Sequence, residues 1–559
     1  LTNYYFILIV TFPLKHYTCK VKMKSKQKSK TQPKDFQKRE GPYIVPKFLL
    51  DDKTSYVMAI LYFIIMLFVS LNHHKIGDYG VETDFYWSYI PHAQHILAGY
   101  VDIDQWKGPG YEFILALGKI VSTDFFFAGM IIAIASAALV ILFTYKIISN
   151  HFNKELAFIT VLGLVTNFTF IKYSYSSGTD MFFNFLQVLV LYFLLRNQRL
   201  SLLDIAIAGA ITGYAYITRY NAIALYAAVI VGLLLLNYKM VDWKKRIAAA
   251  TSFVLSSLIF VLPWGLYCLR EKGNFFYNVN YLNIAYKMYG RGKVGWDEYW
   301  NTVAIKFSSL SDVILADPIT FFTHVTINFA DHLWKDISLL ISLPLGIFAL
   351  GGIVILLFKK PDRKQIFYFI FSGAFFAILT IVFYGERFSL YLIPTYFLLV
   401  SIFFVWEKIP SLGFPHFGIK HLLILSMFFY TAYSSIDQVK SDISSGPVEI
   451  LDVRNAFFNE PVNSGTEKTV IARKPHIAYY LNMKFEPFPY VFNIDELIEK
   501  CKSTGADYLY FSGIEAGMRP QLSFLLDPGN APPQFQPIVS IIYPPAVLYK
   551  INFENSKNN

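Results

Sequence analysis

The chain has 559 residues, 55% of them hydrophobic and 18% aromatic, and a formal net charge of +11. Its apolar residues gather into long runs, and runs of roughly 18 or more read as membrane spans, which excludes a wholly soluble chain. Much of the positive charge lies between Lys20 and Lys53, where lysine alternates with Ser, Thr and Gln. Without zinc-finger spacing or an aromatic-basic platform, this segment reads as a cytoplasmic anchor drawn to anionic lipid and not as a nucleic-acid site.

In chain order, the first apolar run, Tyr4 to Phe12, is closed by Pro13 and has no basic region before it. It is a poor signal peptide, and Met23, which opens the lysine tract, is the expected start. Eleven candidate spans follow: Tyr56–Asn72, Phe125–Ile148, Glu155–Lys172, Asp180–Leu195, Leu203–Thr218, Asn221–Asn237, Ile247–Leu269, Ile337–Phe358, Ile366–Tyr384, Phe388–Trp406 and Ile419–Ser435. With the N-terminal tract inside, the lysine-rich short loops all fall inside too, as the positive-inside rule requires. Three pieces then lie outside: an acidic loop 73–124, an aromatic loop 270–336 with Trp296, Tyr299 and Trp300 suited to the interface, and the C-terminal region. The expected fold is a polytopic α-helical membrane protein with a small C-terminal extracytoplasmic α/β domain. Its parts are a basic cytoplasmic segment 1–54, a transmembrane domain 55–435 and the outer domain 436–559.

Within that outer domain, Thr469–Ala472, Asp507–Ser512 and Val547–Phe553 read as strands. Pro475–Leu481 reads as a short helix with proline in its first turn. Asn493–Ser503 reads as a helix capped by Asn493, with Glu496 three residues on. Cys19, Cys268 and Cys501 are too scattered for a disulfide framework or a metal site.

Eight charged residues should fall on the outer face: Glu82, Asp84, Lys107, Asp180, Arg219, Arg291, Glu386 and Arg387. A charge beside the bilayer is costly and usually functional. Glu82 and Asp84 stand just before a helical stretch, Tyr86 to Leu97, where either could serve as a base and either could instead cap the helix. Pro91 requires that helix to start or kink near it. Lys107, between Trp106 and a Gly-Pro-Gly turn, could hold a phosphate or simply snorkel. Arg219 lies in a very short turn between two spans, and Glu386-Arg387 repeats that situation; arginine matches phosphate oxygens with a planar fork. Asp180 could be an ordinary N-cap. His73, His74, His92 and His95 form no strong metal signature, and spaced carboxylates leave a divalent metal open.

Together these motifs resemble the GT-C superfamily of membrane glycosyltransferases, in the branch of protein O-mannosyltransferases and lipid A aminoarabinose transferases. The likeness is carried by the acidic loop and helix ending Leu97-Ala98-Gly99, by Lys107-Gly108-Pro109-Gly110-Tyr111, by Thr218-Arg219-Tyr220-Asn221, and by Glu386-Arg387-Phe388 with Leu392-Ile393-Pro394. It covers about residues 73–406 and is weaker in the tail, at Ala472-Arg473-Lys474-Pro475 and Ala506-Asp507-Tyr508-Leu509. The resemblance implies transfer of a sugar from a polyprenyl-phosphate donor to a lipid, glycan or protein acceptor on the non-cytoplasmic face of a bacterial plasma membrane. It implies Asp84 or Glu82 as base, with Lys107, Arg219 and Arg387 balancing the departing phosphate, and Asp180, Arg291 and Glu386 as secondary candidates. A transporter or flippase for a lipid-linked glycan is the alternative, although inverted repeats are lacking.

Overall fold

The computed structural model describes residues 44–553, apart from residue 123 and residues 198–200, 235–241, 410–412, 415–416 and 460–467. Met23 and the lysine tract before residue 44 lie outside the described residues. Most of the chain is helical. Among the described residues, four helices are long and apolar enough to cross a membrane: Thr54–His73, Phe125–His151, Trp243–Lys272 and Glu386–Phe404. Two bent pairs, Lys154–Val165 with Phe168–Tyr175 and Leu310–Ala316 with Pro318–Leu340, raise the number to six if each is one span. Shorter apolar helices occupy Thr179–Leu195, Leu202–Thr218, Tyr220–Leu234 and Leu343–Lys359.

Burial separates the inner helices from the outer ones. Phe125–His151 is apolar all round and packs against Thr54–His73, Lys154–Val165 and Thr179–Leu195 at the centre of the bundle. By contrast, Thr54–His73 turns Val57, Ile60, Leu61, Ile64 and Phe68 outward, an apolar face suited only to lipid or another apolar surface.

Two of the expected spans differ in detail. The run Glu155–Lys172 is bent by 65° where Asn167 starts a second helix, its side chain accepting from the Phe170 N–H. The run Ile337–Phe358 begins only at Leu343, because Ser342 adopts φ 72° and breaks the helix before Pro344. The aromatic outer loop also corrects an expectation. Tyr299 is fully buried in a small core with Ile284, Met288, Val313 and Phe321, so it does not lie along the interface. Its hydroxyl donates to the Leu282 carbonyl at 2.6 Å.

The C-terminal region holds a five-stranded sheet in the order Lys484–Pro487, Thr469–Ala472, Tyr508–Ser512, Ala546–Ile551, Phe535–Ile541. The first three strands run parallel, and the last two pair antiparallel. Helix Ile494–Thr504 starts where Asn493 accepts from the Glu496 N–H at 2.9 Å. The two edge strands, Lys484–Pro487 and Phe535–Ile541, were not expected from the sequence pattern.

This sheet region rests on the acidic loop that follows Thr54–His73. Tyr86 and Tyr480 share a hydroxyl–hydroxyl hydrogen bond of 3.0 Å, and the Trp87 and Phe485 rings meet edge to face at 4.9 Å. Loop and sheet therefore lie on one side of the helical bundle.

Candidate active site

The acidic loop separates its two carboxylates by environment. Glu82 is fully buried. One of its oxygens accepts from His74 Nε2 at 3.0 Å and the Ser177 N–H at 2.6 Å, and the other accepts from the Asp78 N–H at 2.8 Å. It ties the loop to the start of Thr179–Leu195 and has little capacity left for another partner. Asp84 is exposed and makes no capping bond, although it precedes the wide helical turn Phe85–Tyr89 that runs on into Ile90–Leu97. That wide turn also accommodates Pro91, which falls at the start of the regular helix. Asp84 holds the N-cap position of that turn, but neither carboxylate makes the side-chain capping bond that the sequence allowed.

The carboxylate of Asp84 lies 3.6 Å from the Arg387 guanidinium. Arg387 sits over the Phe388 ring at 5.0 Å, and Arg219 approaches the same ring at 5.7 Å. Arg219 in turn pairs with Asp180 and donates to Thr179 Oγ1 at 3.1 Å. Asp180 is thus Arg219's counter-ion, and Gly178 takes the N-cap position. The Thr179 hydroxyl also shares a 3.1 Å hydrogen bond with Tyr89. Asp84, Arg387, Phe388, Arg219, Asp180, Thr179 and Tyr89 therefore form one continuous chain of contacts, although they come from four separate stretches of sequence.

On the far side of Tyr89 sits Lys107, its ammonium 4.1 Å above the ring. It does not snorkel. It is buried, pairs with Glu112, and stands 3.3 Å from Asp104. Together with His92 and Asp102, these side chains line a small acidic crevice. Burial alone would raise the Asp104 carboxyl, but the Lys107 charge, the Ser88 hydroxyl and the Trp106 N–H outweigh it and hold Asp104 below the usual carboxylate range.

The Gly108-Pro109-Gly110 turn packs the Lys107 segment closely against the segment that carries Arg219. A Cβ at position 108 would stand 2.4 Å from the Ile217 carbonyl oxygen, and one at position 110 would stand 2.4 Å from Thr218 Oγ1. Only glycine permits so close an approach.

Arg291 reaches the site's edge, 5.6 Å from the Phe383 ring, which packs on Phe388 at 6.1 Å between centroids. Glu386 faces away from its neighbour Arg387 and accepts from Thr169 Oγ1 at 3.2 Å. The aromatic outer loop closes on the Lys107 turn: Asn280 Nδ2 donates to the Trp106 carbonyl at 2.9 Å, and the Trp106 and Trp300 rings meet at 5.5 Å. Among the described residues, no group of three or more His, Cys, Asp or Glu is arranged to hold a metal ion. The sequence pointed to the charged members but not to Tyr89, Thr179 or Phe388, which join them. Phe388's place beside Arg387 was the available signal.

Residues 106–267, under a third of the chain, match the dolichyl-phosphate-mannose-protein mannosyltransferase family. That segment contains Lys107, Asp180 and Arg219. No curated protein sequence matches the chain. Among solved structures, ArnT from Cupriavidus metallidurans bound to undecaprenyl phosphate is similar at 13% identity and a TM-score of 0.54, over 89% of this chain and 98% of that one. The oligosaccharyltransferase of Archaeoglobus fulgidus tethered to an acceptor peptide is similar at 14% identity and a TM-score of 0.54, over 84% of this chain and 70% of that one. The oligosaccharyltransferase AglB from Archaeoglobus fulgidus, in complex with an inhibitory peptide and a dolichol-phosphate, aligns at 14% identity and a TM-score of 0.52, over 83% of this chain and 70% of that one. With this architecture, the chain has the fold of the GT-C superfamily of membrane glycosyltransferases.

Proposed function

We propose that this protein is an integral membrane glycosyltransferase that moves a sugar from a polyprenyl-phosphate donor to an acceptor hydroxyl by a single inverting displacement. The observation that carries the reading is the exposed, uncapped Asp84 held 3.6 Å from Arg387, beside the Arg219–Asp180 pair. Asp84 takes the acceptor's proton as the acceptor oxygen attacks the anomeric carbon. The bond from that carbon to the phosphate oxygen breaks, and polyprenyl phosphate leaves with its negative charge facing Arg387 and Arg219. Lys107 stands behind Tyr89 with its charge already matched by Glu112 and Asp104, and so it steadies that ring and its turn. The titles of the similar structures, which name undecaprenyl phosphate for one and dolichol-phosphate for another, support this class of donor.

The site faces the non-cytoplasmic side in this reading, with the C-terminal domain, residues 436–559, outside. Contact between the acidic loop and the C-terminal sheet supports an even number of crossings between them. The ten spans expected from Phe125 to Ser435 satisfy that parity. Leu310–Leu340, bent by 101°, then lies on or within the outer face without crossing. The aromatic loop joined to Trp106 shapes the acceptor site, and the membrane is a bacterial plasma membrane. The sugar is a hexose or a pentose.

The test is cleavage of radiolabelled polyprenyl-phosphate sugars by the purified protein, wild type beside Asp84→Asn. Release of polyprenyl phosphate by wild type alone is the expected result. Equal release by both removes Asp84 as base. No release from any donor, with acceptor-rich membranes present, rejects the transferase and favours a carrier of lipid-linked glycans.

A further inference from the structure

Asp84 is exposed, yet the backbone that carries it is held from two directions. From the bundle side, Glu82 binds His74 and the Ser177 N–H. From the other side come residues of the C-terminal region. Lys474 Nζ donates to the Tyr79 carbonyl and, at 3.0 Å, to Thr83 Oγ1. His476 Nε2 donates to the Asp78 carbonyl at 3.0 Å, and Tyr480 meets the Tyr86 hydroxyl. Tyr79 completes the contact by donating to Glu449 at 2.7 Å. Residues 78, 79, 83 and 86 are all held, on both sides of Asp84.

We infer that the C-terminal domain is a clamp that fixes Asp84 for the reaction, with Lys474 as its positioning residue; the inference rests on the transferase reading above. The bonding of Lys474 supports this. Its side chain is half-buried, and Asp84, Asp78 and Glu515 favour its charge from beyond ion-pair distance. Its two hydrogen-bond acceptors are neutral groups of one loop. A half-buried ammonium bonded to neutral acceptors adds little to stability, and an apolar side chain of similar length serves that end as well. It is a good device for orientation, because an ammonium draws the Tyr79 carbonyl and the Thr83 hydroxyl to one point. That hydroxyl itself donates to Tyr79 O at 2.8 Å, which closes the turn immediately before Asp84. Burial, with Arg473 beside it, holds the Lys474 pKa below the ordinary lysine value.

The mount is rigid as well. Lys474 follows strand Thr469–Ala472, which lies inside the sheet, and precedes helix His476–Leu481. The Arg473 N–H between them is fixed by Glu515 at 2.7 Å. Lys474 itself lies in the three-residue bend 473–475, whose short length between two regular elements limits its movement.

The experiment compares the full-length wild type, Lys474→Met and Lys474→Arg in donor cleavage and in amide hydrogen exchange. A misplacement of about 1 Å costs on the order of a hundred-fold in rate. Lys474→Met should therefore lower kcat by about that factor and leave the donor KM within about two-fold. Exchange should rise at residues 78–86, and Lys474→Arg should restore part of both. Unchanged kcat overturns the inference whatever the exchange shows. A fall in kcat with residues 78–86 as protected as before overturns it too, since Lys474 would then act directly. If wild type cleaves no donor, the transferase reading fails; exchange at 78–86 then decides the clamp by itself, a rise supporting it and no change removing it. If Lys474→Met fails to fold, Tyr480→Phe, which removes one hydroxyl and no other volume, carries the same expectations.

Discussion

The Arg387 guanidinium stands 3.6 Å from the Asp84 carboxylate, linking the loop after the first span to the turn before one of the last. A cation at that distance orients the carboxylate and stands within reach of an anionic leaving group. In the proposed reaction the pair places the base and a cation for the leaving phosphate in one site.

Asp84→Asn should leave folding intact, since Asp84 is exposed and caps no helix. Its turnover should fall by about 10²–10⁴, the range for a lost general base. Single-turnover release of polyprenyl phosphate, beside a thermal melt, checks both halves.

Glu82→Ala should do the reverse in the melt. It strips a buried acceptor from His74, the Asp78 N–H and the Ser177 N–H. Such a loss costs roughly 3–5 kcal/mol when a buried charged partner is left behind. Denaturant unfolding in detergent measures it, and a melt equal to wild type would remove Glu82 from its anchoring role.

Arg219→Lys keeps the charge but loses the fork that reaches both Asp180 and Thr179. We expect a fall in kcat of about 10²–10³, as for loss of one donor to a developing anion. Arg387→Lys should behave alike, and the double variant should fall short of the product of the two because both arginines share the Phe388 ring. Steady-state kinetics of the three variants decides this.

His476 gives the acid limb of stability. Burial, together with the nearby Lys474 charge, pushes its pKa down to about 3, against 6.5 in the unfolded chain. Between those values the unfolded chain binds the extra proton, so stability rises with pH across about 3 to 6.5. This contribution is complete above 6.5 and is lost as pH falls toward 3. His476→Gln should flatten that part of the melting-temperature profile; a profile of unchanged slope would remove His476 as its source.

Much of the helical architecture was legible because apolar runs and basic short loops are long-range signals in themselves. Arg219 and Glu386-Arg387 stood out for the same reason, as charges in turns between such runs. The difference between Glu82 and Asp84 was not legible, since it depends on His74 and Ser177, which the fold alone brings near. Lys107 read as a surface cation because Glu112 and Asp104 meet it only after the Gly-Pro-Gly turn folds back. The helix break at Ser342 rests on a left-handed serine, which no pattern announces. Edge strands Lys484–Pro487 and Phe535–Ile541 hid behind Pro487 and Pro537, residues tolerated only where a ladder ends. The lysine tract before residue 44 lies outside the described residues.

The Gly108-Pro109-Gly110 turn lies on the Ile217 main chain and on the backbone and hydroxyl of Thr218, with no room for a side chain at either glycine. A methyl group at position 108 or 110 would therefore act as a wedge between the segments bearing Lys107 and Arg219. The spacing of those two mounts is thus written into the glycines and not into either charged residue.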